Sequence, residues 1–280
     1  NLGAQNTAVG SGALDANTSG TPNVAVGYNA LGANISGNHN VAVGANAGLT
    51  LLTNQNTAIG SSALAAASGV NCTAVGYQAL NANTAINNTA VGSQAGLTLF
   101  SANNTAVGTA ALTALSGSNC TAIGYNALNV NTGAQNTAVG AGALDANTSG
   151  TPNVAIGYNA LGTNIIGNNN VAVGGSAGLA VLTGNNVAVG TSALAAASGA
   201  DCTAVGYQAL FFNTATQSTA VGSQALTTNT SGTANTAVGY QSLNLNQTGT
   251  ANTAVGLQSL LNNIGNNNTA VGASALLGNT

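Results

Sequence analysis

Apolar and polar positions along this chain follow one short phrase, Asn-Thr-Ala-Val-Gly, which returns without a break from end to end. Its anchor glycines are Gly10, Gly27, Gly44, Gly60, Gly76, Gly92, Gly108, Gly124, Gly140, Gly157, Gly174, Gly190, Gly206, Gly222, Gly239, Gly256 and Gly272, and every interval is 16 or 17 residues. A fixed period of this kind is the signature of a repeat architecture. Two residues before the glycine stands Ala in all seventeen units; one before is Val, or Ile at Ile59, Ile123 and Ile156. Three before is Thr, or Val at Val24, Val41, Val154, Val171 and Val187. Side chains alternate between the faces of a strand, so the Thr/Val and Val/Ile columns share one face and the Ala column takes the other. Such a β-branched run predicts a short strand, and the glycine predicts a bend or a close backbone approach. Because Thr exchanges with its apolar isostere Val, the first face is expected to point inward and the Ala face outward.

Four residues after the glycine stands Leu in fourteen units; where it is Gly48, Gly96 or Gly178, the Leu follows one place later, as Leu49, Leu97 and Leu179. This Ala-Leu pair predicts a second strand or wall with Leu in the core. Stretches such as "NTSGTPN" and "NTGAQN" carry turn chemistry, and no 3.6-residue period supports a helix. The fold expected is all-β: a parallel β-solenoid, or β-roll, of 17 coils of 16–17 residues with two short strands per coil. Coils stacked about 4.8 Å apart would make a rod roughly 80 Å long.

A longer period overlies the short one. The segment at 6–32 returns nearly unchanged at 136–162, so an eight-coil block near 6–135 is duplicated from 136. The expected organisation is one continuous array over 1–280, with no linker and no distinct cap at either end. Solenoids are normally capped; the chain is therefore read as an excerpt of a longer array or as a subunit whose ends are covered by neighbours. It opens at Asn1 in mid-pattern, as a mature product or a fragment would.

Charge changes the picture sharply. Lys and Arg are absent, and the acids are Asp15, Asp145 and Asp201 alone. With nothing to neutralise phosphate, nucleic-acid binding is excluded, as is attraction to anionic lipid. No apolar run reaches the length of a membrane-spanning helix, so no membrane insertion is expected. The repeat itself explains the missing charge. Any charged residue in a stacked column faces its own copy about 4.8 Å away and is repelled, whereas Asn, Thr, Gln and Ser stack without that cost.

The phrase and its register resemble the "NSVAIG-x-x-S" head repeat of trimeric autotransporter adhesins, the YadA-like heads. Ser242 and Ser259 match the last Ser of that repeat, while the other units carry Ala there, and the repeat here is longer than the family's. Similar arrays occur in fibre-like proteins of bacteria and phages. The resemblance implies a left-handed parallel β-roll, three chains side by side, and a surface-exposed adhesive stalk or head. The family's coiled-coil stalk and membrane anchor have no counterpart in these residues.

Two columns are candidate sites. Ala8, Ala25, Ala42, Ala58, Ala74, Ala90, Ala106, Ala122, Ala138, Ala155, Ala172, Ala188, Ala204, Ala220, Ala237, Ala254 and Ala270 form one strip. It reads either as a tight corner of the coil or as a subunit seam that another chain covers. All six tyrosines, Tyr28, Tyr77, Tyr125, Tyr158, Tyr207 and Tyr240, occupy the place immediately after the glycine. They read either as rings shielding nearby backbone or as an aromatic stripe for glycan or protein contact. Cys72, Cys120 and Cys202 share the Asn column three and five coils apart, beyond disulfide reach, and read as small buried thiols. His39 has no carboxylate or thiol at ligand spacing, so no metal site is expected. No acid pair, nucleophile–base pair or phosphate loop is present, and neither catalytic residues nor a cofactor are expected. Sequons at Asn17, Asn71, Asn87, Asn103 and Asn119 follow from the composition.

The function expected is that of a non-enzymatic extracellular or cell- or virion-surface rod, a fibre or adhesin-like structural protein. Its partner is itself, as a homo-oligomer, most simply a trimer, joined along the Ala seam. A glycan or matrix ligand is open. A filament subunit stacking end to end is one alternative. Ice binding is another, weighed against by a Thr column that swaps with Val and is expected inside.

Overall fold

The computed structural model describes residues 3–99, 101–114, 117–197 and 199–279. They form two compact units, 1–136 and 137–280, divided where the eight-coil block begins again. The first carries eight coils, each with one three-residue strand: β1 (Thr7–Val9), β2 (Val24–Val26), β3 (Val41–Val43), β4 (Thr57–Ile59), β5 (Thr73–Val75), β6 (Thr89–Val91), β7 (Thr105–Val107) and β8 (Thr121–Ile123). The second carries nine: β9 (Thr137–Val139), β10 (Val154–Ile156), β11 (Val171–Val173), β12 (Val187–Val189), β13 (Thr203–Val205), β14 (Thr219–Val221), β15 (Thr236–Val238), β16 (Thr253–Val255) and β18 (Thr269–Val271). It also has a short pair, β17 (Asn262–Asn263) with β19 (Gly278–Asn279). No helix occurs among the described residues.

Within each unit every strand pairs in parallel with the strand of the next coil, like residue against like: Ala74 against Ala90 and Val75 against Val91 in the first, Ala204 against Ala220 in the second. The molecule is a parallel β-solenoid of about 17 turns. The five-residue phrase thus sets the register, because a slip by one would put Ala where Thr must lie.

The faces are the reverse of those the sequence suggests. The Ala column is interior: Ala25, Ala58, Ala90, Ala122, Ala155, Ala204 and Ala254 are each 0% exposed, and every other member except Ala8, in the first coil, is also buried. The Thr/Val and Val/Ile columns point out and are half-buried or exposed. The expectation of an Ala seam open to a second chain is therefore overturned. The interior of the narrow coil is shared by the Ala methyls of the strand and the fully buried Leu side chains such as Leu64 and Leu80, so a side chain larger than Ala in the strand column would overpack it. Thr can alternate with Val because both stand at the surface, where the hydroxyl finds water.

Among the described residues the second expected strand forms only as β17 and β19. Elsewhere the Leu of the Ala-Leu pair takes a left-handed backbone conformation, with φ between +47° and +54° at all fourteen positions, which is incompatible with an extended strand. A left-handed Leu costs on the order of 1 kcal/mol. Burial and coil-to-coil bonding offset it: Leu31 is fully buried and its N–H donates to the carbonyl of Ala47 at 2.9 Å. The wall is thus hydrogen-bonded between coils without being a β-ladder.

Where Gly replaces that Leu, the core is not refilled by the next residue, as the sequence suggests. Leu49, Leu97 and Leu179 are only half-buried. The space is filled from three residues beyond the Gly, by Leu51, Leu99 and Val181, all at most 1% exposed. A Cβ on Gly48 would lie 2.8 Å from the Leu51 side chain and 2.9 Å from that of Leu31. In most other coils that place, seven after the anchor glycine, holds a buried Asn such as Asn34, Asn83 or Asn164. Leu with Asn, or Gly with Leu, are two fillings of one interior.

Two columns of buried Asn tie the coils together. In the Asn column before the strand, Asn40 Oδ1 accepts from the backbone N–H of Asn56 in the next coil at 2.9 Å, and its Nδ2 donates to the Thr53 carbonyl at 2.7 Å. The ladder is mainly side chain to backbone, rather than the amide-to-amide stack of an amyloid. In the second column, Asn34 Oδ1 accepts from the N–H of Gly37 at 2.8 Å, closing the turn. A buried amide leaves no polar atom stranded in either place, which is why a thin core tolerates it. The anchor glycines all have φ between +126° and +137°. At Gly92 a Cβ would meet the Gly108 carbonyl oxygen at 2.6 Å, so both conformation and coil spacing demand glycine there.

Candidate functional surface

The outward strand face is the most regular surface of each unit. Its two ranks, Thr/Val and Val/Ile, are in register from coil to coil. Val43, Ile59, Val91 and Ile123 in the first unit and Ile156, Val221 and Val238 in the second keep 37–41% of their surface exposed. Beside them runs a half-buried Thr rank: Thr73, Thr89, Thr105 and Thr121, then Thr203, Thr219, Thr236 and Thr253. No acid lies in either rank. An apolar strip of this length is uncommon on a surface that stays uncovered. The sequence carried a usable sign of it: the residue that never varies is the one with no room, and the pair that exchanges is the one facing out.

Next to the Thr rank lies an exposed amide ladder. Asn71 donates to Asn87 at 3.3 Å, Asn87 to Asn103 at 3.1 Å and Asn103 to Asn119 at 3.2 Å; in the second unit Asn169 donates to Asn185 and Asn185 to Asp201. The sequon residues Asn71, Asn87, Asn103 and Asn119 are therefore exposed, whereas Asn17 is buried and bonded to the Gly20 backbone. His39 occupies the same exposed column and lines a shallow polar cleft with Thr21, Asn38, Asn54 and Gln55.

On the far side of the glycine corner stand the tyrosines. All six are exposed, between 47% and 65%. In the column after them Gln94 Nε2 donates to Gln78 Oε1 at 3.1 Å, and Gln258 to Gln241 to Gln224 at 2.9 Å each.

The three thiols are free and buried. Each takes the interior place of an Asn: Cys72 Sγ donates to the Ala85 carbonyl at 3.3 Å and accepts from Asn83 Nδ2 at 3.1 Å. Burial pushes all three above the 9.0 of a free thiol, partly opposed by these hydrogen bonds. Such thiols are weak nucleophiles. Among the described residues no group of three or more His, Cys, Asp or Glu is placed to hold a metal ion. No helix among them is long and apolar enough to cross a membrane. Compared with known proteins, the chain matches no protein-family model and no curated protein.

Proposed function

We propose that this protein is a non-catalytic structural rod that associates side by side with copies of itself through the outward Val/Ile and Thr/Val ranks. It would serve as an extracellular or surface fibre. The observation that carries this reading is the in-register, outward Val/Ile rank, with members such as Val43, Ile59, Val91 and Ile123 38–40% exposed and the members between them, such as Val75 and Val107, half-buried. Fully burying one Val or Ile contributes roughly 1.5–3 kcal/mol, so covering the exposed remainder is worth roughly 0.5–1 kcal/mol per coil. Over eight coils that reaches the scale needed to offset association entropy. The phrase shared with trimeric autotransporter heads supports three chains as the assembly.

The test is sedimentation velocity on the native protein and on a variant carrying Val75→Glu and Val107→Glu. The substituted coils are two apart, so the new carboxylates lie about 10 Å from each other and are largely screened at 0.1 M salt. The native protein is expected to sediment as an oligomer, and the variant as a monomer with an unchanged β circular-dichroism spectrum. A monomeric native protein, or a variant that stays assembled, overturns the reading.

Ice adsorption is a second reading, favoured by one observation: the Thr rank faces out, so the main reason against it falls. Rows of Thr methyls and hydroxyls in fixed register are suited to holding an ordered water layer. The two readings use the same face and exclude each other. A monomeric native protein with thermal hysteresis that is lost on Thr89→Lys supports the second.

A further inference from the structure

The tyrosine column lies on the other side of the glycine corner from the strand face, and self-association through that face does not account for it. In the first unit the rings stand at Tyr28, Tyr77 and Tyr125, in coils two, five and eight, so each is three coils from the next. At about 4.8 Å per coil the separation is roughly 14 Å, too far for the rings to stack on each other. Between them the same column holds only small side chains, Ala45 and Ser61, then Ser93 and Thr109. Each ring is therefore a separate platform, 52–60% exposed, bordered by a gap two coils wide. The neighbouring column places one amide in each gap, Asn46 and then Gln94, beside Asn29, Gln78 and Asn126 in the tyrosine coils, and Gln94 is bonded to Gln78 along the stack. In the second unit Tyr158 and Tyr207 are again three coils apart, and Tyr240 follows two coils later.

We infer that this column is a track for a neutral polysaccharide chain lying along the coil axis, its sugar rings stacked on the tyrosines and its hydroxyls paired with the flanking amides. A pyranose ring offers an apolar C–H face bordered by hydroxyls, which matches an aromatic face beside an amide row. Neutrality follows from the protein: with no Lys or Arg, nothing here compensates an acidic sugar. A chain long enough to reach a second platform gains by effective concentration, so affinity rises with length. An extended peptide fits less well, because the Tyr column presents no free sheet edge for its backbone to join.

The experiment compares the native full chain with the variant in which all six tyrosines are replaced, Tyr28→Ser/Tyr77→Ser/Tyr125→Ser/Tyr158→Ser/Tyr207→Ser/Tyr240→Ser, so that no platform is left in either unit. Serine is already the residue in this column at Ser11, Ser61 and Ser93, so the coils keep a side chain they accommodate. Circular dichroism and sedimentation first establish that fold and assembly are unchanged, which separates this site from the strand face. The probes are maltoheptaose, cellohexaose and their disaccharides, soluble neutral β-glucan and mannan, acidic polygalacturonate, and gelatin as a protein. Binding is read by affinity electrophoresis for both proteins and, for the native chain, by tyrosine fluorescence, which is unobscured because the chain has no Trp. The expected result is binding of at least one neutral glycan, tighter for the long oligosaccharide than the disaccharide, and weakened roughly tenfold or more in the sixfold variant. Three results overturn the inference: no binding of any neutral glycan, equal binding by the sixfold variant, or Tyr-dependent capture by gelatin or polygalacturonate alone.

Discussion

Residue by residue, this fold is a set of matched fillings for one narrow interior. Gly48 with Leu51 occupies the space that Leu31 with Asn34 occupies one coil earlier. Gly48→Leu alone is expected to overpack against Leu51 and cost about 1–3 kcal/mol, and Leu51→Asn alone to cost about 2–5 kcal/mol through the void it leaves. The double variant recreates the neighbouring coil. Its loss, read from urea unfolding, is expected to fall short of the sum by more than about 1 kcal/mol; strict additivity would refute the paired-filling account. Ser259 supplies a second case. Its hydroxyl is buried with no hydrogen-bond partner, whereas Ser242 Oγ, at the same place one coil earlier, donates to the Gly239 carbonyl at 3.2 Å. Ser259→Ala should stabilise by roughly 1 kcal/mol and Ser242→Ala by less. A calorimetric scan ranking them the other way would contradict this.

At the scale of the element, one three-residue strand has an inner column that admits only Ala and an outer pair that admits Thr, Val or Ile. Substitutions in adjacent residues of β6 should therefore differ widely. Ala90→Glu places an unpaired carboxylate among Ala74 and Ala106, both fully buried. It should destabilise by about 4 kcal/mol or more. Val91→Thr, next to it but outward, should stay within about 0.5 kcal/mol. Thermal unfolding of the two variants is the measurement, and equal losses would restore the inverted arrangement of faces. The left-handed Leu belongs to this scale as well. Its backbone is unfavourable alone and is held by the bonds of the coil on either side, so the wall forms only when coils stack.

For the molecule as a whole, the scarcity of charge leaves the buried thiols as the groups whose shifted titration bears on stability at alkaline pH. Burial raises Cys72, Cys120 and Cys202 above the free-thiol value of 9.0. Their contribution is therefore complete below about pH 8.5 and is lost as pH rises, because the unfolded chain ionises first. The loss is at most about 1.4 kcal/mol per thiol for each pH unit. Replacing all three by Asn, the residue this column holds elsewhere, should flatten the decline in urea midpoint between pH 8 and pH 10.5, with the tyrosines common to both proteins. An identical decline in the two would exclude the thiols as its source.

Periodicity alone determined the solenoid, its coil count, its parallel register and the missing charge, because every coil repeats the same local problem and stacking multiplies any mistake. The Leu core was legible too: a large apolar residue at a fixed place has nowhere else to go. What only the tertiary structure decided is which way the strand faces. Alternation separates two faces without saying which is inside, and Thr-for-Val exchange reads equally as a dry core or a wet surface. The width of the coil settles it: with a second wall this close, only Ala fits within. The exchange of Gly-with-Leu for Leu-with-Asn was hidden for the same reason, since those residues are three apart in the chain and meet only across the interior. The candidate surface moved with the faces, from the invariant methyl to the Val/Ile rank. The tyrosines were visible as a column in the sequence, but their exposure depends on the left-handed turn that carries them clear of the core.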